Sequence, residues 1–208
     1  MECAAAHSWA TVRKSARVLL VMDVSGSMSA DSGSGGKSKL ELAKSAAASA
    51  LDQLVDTDRV GFWTFTTDLP TPSTITREWV DVAPLGQTRQ AITAAIAGLT
   101  PLGGTPLYAA TRLAADAMNA TKDPAAINAV VVLTDGRNEF TDNDLNGLVD
   151  HLASGAQENG VRVFTIGYGA DADQQALQQI SEASRAAFYD ASDPATIDKI
   201  LPNVLSNF

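Results

Sequence analysis

Five consecutive apolar residues, Val18-Leu19-Leu20-Val21-Met22, run directly into Asp23-Val24-Ser25-Gly26-Ser27-Met28-Ser29. A strand with one face in water alternates apolar and polar side chains. This run does not, so it reads as a strand covered on both faces. A second such run, Ile127-Asn128-Ala129-Val130-Val131-Val132-Leu133-Thr134, ends in Asp135-Gly136. Both strands therefore stop at an aspartate, and the loop after the first offers oxygen atoms at every second residue: Asp23, Ser25 and Ser27. Oxygen donors are what a hard divalent cation takes.

The rest of the chain supplies the covering layers. Residues 16–22 form the first expected strand, and residues 29–37 read as a flexible loop from their Ser and Gly content. Ser38-Lys39-Leu40-Glu41 has the S-x-x-E form of a capping box, and Leu40, Ala43, Ala47, Leu51 and Leu54 follow on one helical face. Residues 58–66 are a second strand, Pro70 and Pro72 interrupt the pattern, and residues 76–82 are a short edge strand. A helix over 87–99 buries Ile92, Ala95, Ile96 and Leu99. After the Pro101-Leu102-Gly103-Gly104 turn, Thr105 as N-cap and Pro106 as first helical residue open a helix to about 119. The strand over 127–134 precedes a helix capped by Asp142 or Asn143, with Leu145, Leu148, Val149 and Leu152 inward. A strand over 161–167, a helix over 174–183 and a short strand over 187–189 follow. Asp193-Pro194 caps a terminal helix that Pro202 is expected to kink or end. Alternating strands and helices predict an α/β fold. Its central sheet is doubly wound and mostly parallel, with helices on both faces and one short antiparallel edge strand.

Composition narrows the function. Fifteen basic against 24 acidic residues give a net charge of −9, which repels nucleic acid and anionic lipid. The single cysteine, Cys3, excludes an internal disulfide. With only His7 and His151 beside it, the chain holds no zinc set of the usual Cys/His kind. No apolar run approaches the roughly 18 residues of a membrane span. Residues 1–15 lack the basic start and apolar middle of a signal peptide and read as a leader, the tail of a preceding region, with a domain over 16–208.

In a doubly wound sheet, ligands bind outside the carboxyl ends of the strands, where strand order reverses. Two strands as apolar as those ending in Asp23 and Asp135 are expected to be central neighbours, and the Gly103-Gly104-Thr105 turn can face the same edge. That gathers Asp23, Ser25, Ser27, Thr105 and Asp135, two carboxylates and three hydroxyls. This inventory suits Mg²⁺, which takes octahedral oxygen ligands, few of them carboxylates, and keeps some water.

Asp23-x-Ser25-x-Ser27, Thr105 after a double glycine, and Asp135-Gly136 resemble the metal-ion-dependent adhesion site (MIDAS) of von Willebrand factor type A (VWA) domains, over about residues 16–207. The resemblance implies a Rossmann-like fold. It implies that Ser25, Ser27 and Thr105 bind Mg²⁺ (or Mn²⁺ or Ca²⁺) directly, with Asp23 and Asp135 acting directly or through water. It further implies an open coordination position that accepts a Glu or Asp carboxylate from a protein partner. The segments Arg17-Val18-Leu19-Leu20, residues 127–136, Val161-Arg162-Val163-Phe164-Thr165-Ile166 and Ser192-Asp193-Pro194-Ala195-Thr196-Ile197 are similar to actinobacterial extracytoplasmic proteins in which this domain follows a solute-binding-type domain. That implies a place in the cell envelope, as a monomeric domain of a larger chain.

Three other patterns carry less. Gly33-Ser34-Gly35-Gly36-Lys37-Ser38 lacks the first glycine of a phosphate loop, having Asp31 there. Asp142-x-Asp144-x-Asn146-Gly147 starts like a calcium loop but has Ala153 where the bidentate Glu belongs. His151 reads as a surface residue of an amphipathic helix. The function expected is thus a non-enzymatic, metal-dependent adhesion or protein-binding module, with no catalytic residue. The alternatives are a Mg²⁺-dependent phosphotransferase of haloacid dehalogenase type and a purely structural assembly domain. The first requires a second carboxylate where Ser25 stands.

Overall fold

The computed structural model describes residues 14–69, 75–156 and 160–206. Cys3 and His7, the leader up to residue 13, and the Pro70 and Pro72 break lie outside them. Six strands form one sheet: β1 (Ala16–Asp23), β2 (Arg59–Phe65), β3 (Thr76–Pro84), β4 (Ile127–Thr134), β5 (Arg162–Tyr168) and β6 (Phe188–Ala191). Their order is β3-β2-β1-β4-β5-β6. All neighbours are parallel except β2 and β3, so β3 is the antiparallel edge strand expected from its weak alternation. It runs two residues longer than that expectation, to Pro84.

The helices α1 (Lys39–Leu51), α2 (Leu85–Ala97), α3 (Leu107–Ala120), α4 (Leu145–Gly155), α5 (Gln174–Ala183) and α6 (Ile197–Ser206) divide between the two faces. Ala16, Val18, Leu20 and Met22 pack with α1, α2 and α6; Leu19 and Val21 pack with α3, α4 and α5. This is why β1 is apolar at every position from Val18 to Met22. Each residue faces a helical layer, and burying such a side chain stabilises the fold by about 1.5–3 kcal/mol.

The helix starts follow local chemistry at α1 and α5 and depart from expectation at the other four. α2 begins at Leu85, two residues before the expected 87, and ends at Ala97, and Asp193-Pro194 open a 3-10 turn, Pro194–Thr196, that leads into α6 at Ile197. Ser38 accepts from the Glu41 amide while Glu41 Oε2 accepts from the Ser38 amide at 2.7 Å, so the capping box forms as written. At α4 the cap is Asp144, one residue past the expected pair, its carboxylate taking the Gly147 amide at 2.9 Å. Thr105 does not cap α3. That helix starts one residue later, and Asn138 Oδ1 takes the Tyr108 amide instead. Pro202 neither ends nor breaks α6, which runs on to Ser206 because Leu201, Val204 and Leu205 are buried on either side of the proline. Residues 29–37 are an organised turn: Asp31 bridges Ser38, and Ser32 bonds Lys37 through both its amide and its hydroxyl.

Because the capping box fixes the first turn of α1, Ser38→Ala should cost about 1 kcal/mol. Urea unfolding should show a lower midpoint with unchanged slope.

Candidate metal centre

The order β2-β1-β4-β5 reverses the direction of winding between β1 and β4, and the parallel register pairs Met22 with Leu133. Asp23 and Thr134 are the next residues on each strand, side by side at the carboxyl edge. Thr134 Oγ1 donates to Asp23 Oδ2 at 2.5 Å, and the Ser25 amide donates to Asp23 Oδ1 at 2.7 Å. The chain then turns in a single 3-10 turn, Gly26–Ser29. Ser27 Oγ donates to Asp135 Oδ1 at 2.6 Å, which leaves it to accept from Ser25 Oγ at 3.0 Å. Asp23, Ser25, Ser27 and Asp135 thus form one connected chain of hydrogen bonds across the switch point.

Thr105 arrives from the other side. Its loop is tied to the first by Gly26 N donating to Gly103 O at 2.8 Å and Leu102 N to Val24 O at 2.7 Å. Thr66 Oγ1 holds the carbonyls of Leu102 and Gly104, and Thr67 Oγ1 accepts from the Gly104 amide at 2.7 Å. Gly103 has φ +68°, and a Cβ there would stand 2.5 Å from Thr66 Oγ1 and 2.9 Å from the Asp68 amide. Only glycine fits. The result sets Thr105 Oγ1 against the backbone after Asp135: a Cβ on Gly136 would lie 3.2 Å from it. That hydroxyl, freed of a capping role, lies beside the residue that follows Asp135.

Asp23 and Asp135 are fully buried, Ser25 and Thr105 nearly so, and Ser27 is exposed. The cluster therefore opens to solvent at Ser27. Burial pushes the Asp23 carboxyl up to about 7; the bonds from Thr134 and Ser25 partly offset this, and the nearby Asp135 charge adds to it. Asp135 Oδ2 accepts from Lys39 Nζ at 2.8 Å. In the sequence Lys39 stands only as the second residue of the capping box. The signal for more was present in a cation at the positive end of a helix dipole, where it is disfavoured.

The residues fit a small hard cation. Asp23 is a buried carboxylate whose hydrogen-bond donors are all neutral, set beside two serine hydroxyls and a threonine. Among the described residues no group of three His, Cys, Asp or Glu side chains is placed to hold a metal. The acidic turn at Asp142 and Asp144 is a helix cap. His151 departs from the sequence reading in one respect: its Nε2 lies 2.6 Å from Asp116 Oδ1, a pairing between α3 and α4 that periodicity does not show.

Asp23 makes stability depend on pH. Its carboxyl is raised in the folded protein, so its contribution is full below the unfolded value near 4 and is lost as pH rises through about 7. Without divalent ions, Asp23→Asn keeps the neutral form. The stability of the variant relative to wild type should widen from pH 4 to 7 and then level off, read by thermal melts across pH.

Solved structures share this fold. The chain is 24% identical to a von Willebrand factor type A protein from Catenulispora acidiphila, with a TM-score of 0.73, over 92% of this chain and 42% of that one. It is 19% identical to the pilus adhesin SpaC from Lactobacillus rhamnosus GG, TM-score 0.73, over 93% and 30%. Proximal thread matrix protein 1 from the mussel byssus, with a zinc-occupied MIDAS motif, is 16% identical, TM-score 0.68, over 92% and 47%. The chain thus spans less than half the length of each, and at these identities the likeness shows the fold. No curated protein matches. The family model for the von Willebrand factor type A domain matches residues 18–203, nearly the whole sequence, and the chain belongs to that family.

Proposed function

We propose that this VWA domain is a non-enzymatic protein-binding module that works through a divalent cation held by Asp23, Ser25, Ser27, Thr105 and Asp135. VWA domains are generally interaction modules, and solved relatives include a pilus adhesin and a protein whose MIDAS motif carries zinc. The observation that carries the reading is the 2.6 Å bond from Ser27 to Asp135, which joins the two strand ends on the open side of the cluster.

Mg²⁺ is the ion proposed, with Mn²⁺ and Ca²⁺ as alternatives. Hydroxyls carry no charge, so only the two carboxylates neutralise a dication among them. With one of these acting through water, the ion stays electrophilic towards an incoming Glu or Asp from a partner protein. The net charge of −9 repels an acidic partner at range, so attraction acts at contact. An envelope or extracytoplasmic location, a leader over 1–15 and a domain over 16–208 of a larger chain complete the proposal. No helix among the described residues is long and apolar enough to cross a membrane. A phosphotransferase is disfavoured by Ser25, whose hydroxyl sits against Ser27 where that chemistry needs a carboxylate.

Calorimetric titration tests the proposal. Wild type should bind one Mg²⁺ or Mn²⁺, and Asp23→Ala should weaken that binding at least a hundredfold while melting cooperatively. Equal binding by the variant would remove the donor assignment. Binding without any metal-dependent partner in a native envelope extract would favour a structural role for the ion.

A further inference from the structure

Lys39 is the first residue of α1, directly after the Ser38 cap. Its backbone is held at both ends: the amide donates to Ala30 O at 2.9 Å, and the carbonyl accepts from Tyr168 Oη at 2.9 Å. The residue is 7% exposed, and its ammonium reaches across to Asp135 Oδ2 at 2.8 Å. This is a poor place for a lysine on helix grounds, because the cation faces the positive end of the dipole. It is also enclosed. Gly169, at φ +84°, leaves the room, and a Cβ there would stand 3.2 Å from both Cε and Nζ of Lys39.

The ammonium has a second carboxylate close by. Asp171 Oδ2 is 3.8 Å from Nζ, on a side chain 89% exposed, just past Gly169. The lysine therefore stands between a buried carboxylate in the cluster and a solvated one outside it. A divalent ion and an ammonium both seek the charge on Asp135, and a like charge so near costs either of them binding energy.

We infer that Lys39 is a tethered cation that competes with the divalent ion for Asp135, holding that carboxylate compensated until metal displaces the ammonium towards Asp171. The inference rests on reading the Ser27–Asp135 rim as a cation site. It gives the domain an affinity set point: the site is stable without metal and fills only where the ion is abundant enough to outbid an internal charge.

Lys39→Met keeps most of the apolar stem, and Lys39→Gln keeps a neutral donor to Asp135 should the first variant fold poorly. Calorimetry at fixed pH and ionic strength should show both binding Mg²⁺ at least tenfold more tightly than wild type. In EDTA both should melt at lower temperature, because a buried carboxylate loses its partner. In wild type, Mg²⁺ should raise acetylation of Lys39 by acetic anhydride severalfold, read by mass spectrometry against the exposed Lys199. Variants that bind Mg²⁺ no more tightly than a wild type that does bind it, or a Lys39 still protected at saturating Mg²⁺, would overturn the inference alone. No Mg²⁺ binding by wild type or by either variant would overturn the proposed function with it.

Discussion

Parallel pairing of β1 with β4 is the constraint on which everything at the rim depends. Met22 opposite Leu133 puts Asp23 beside Thr134 and delivers Asp135 one residue later, on the adjacent loop. A slip of one residue would turn every side chain of β1 to the other face of the sheet. The apolar residues of β1 would survive such a slip, since both faces are covered, but the 2.5 Å bond from Thr134 to Asp23 would not. The polar contacts at the strand ends thus fix a register that hydrophobic pattern alone leaves open.

The rim stores a conflict of charge. Two carboxylates are fully buried at one edge of the sheet, and their compensation is unequal. Asp135 has an ammonium; Asp23 has a hydroxyl and an amide, and its carboxyl is pushed up to about 7. Natural chains seldom bury a carboxylate in this way without a use for it. A dication, as proposed, would resolve the conflict with the residues already in place. Ser25, Ser27 and Thr105 would add donors without further charge.

Much of this was legible in the sequence because it rests on short-range chemistry. The unbroken apolar runs gave the central strands, Ser38 and Glu41 gave the start of α1, and residue order gave the doubly wound sheet. The five candidate ligands come from strand ends and from resemblance to a known motif, and hydrogen bonds join four of them, Asp23, Ser25, Ser27 and Asp135. What was not legible depends on distant partners. Lys39 meets Asp135 across 96 residues and His151 meets Asp116 across 35, distances at which spacing carries no signal. Thr105 satisfied every local rule for an N-cap, yet α3 starts one residue later and Asn138, 30 residues from Tyr108, takes the Tyr108 amide instead. Asp144, one residue past the expected Asp142 or Asn143, caps α4. Pro202 is tolerated because buried neighbours hold the helix around it.

Crystals soaked in Mn²⁺ and measured near its absorption edge would test the central claim most directly. One anomalous peak should lie among Asp23, Ser25, Ser27, Thr105 and Asp135, within direct or water-bridged reach of each. A protein that takes its Mn²⁺ at the Asp142–Asp144 turn or elsewhere on the acidic surface, with that rim left clear, would contradict it.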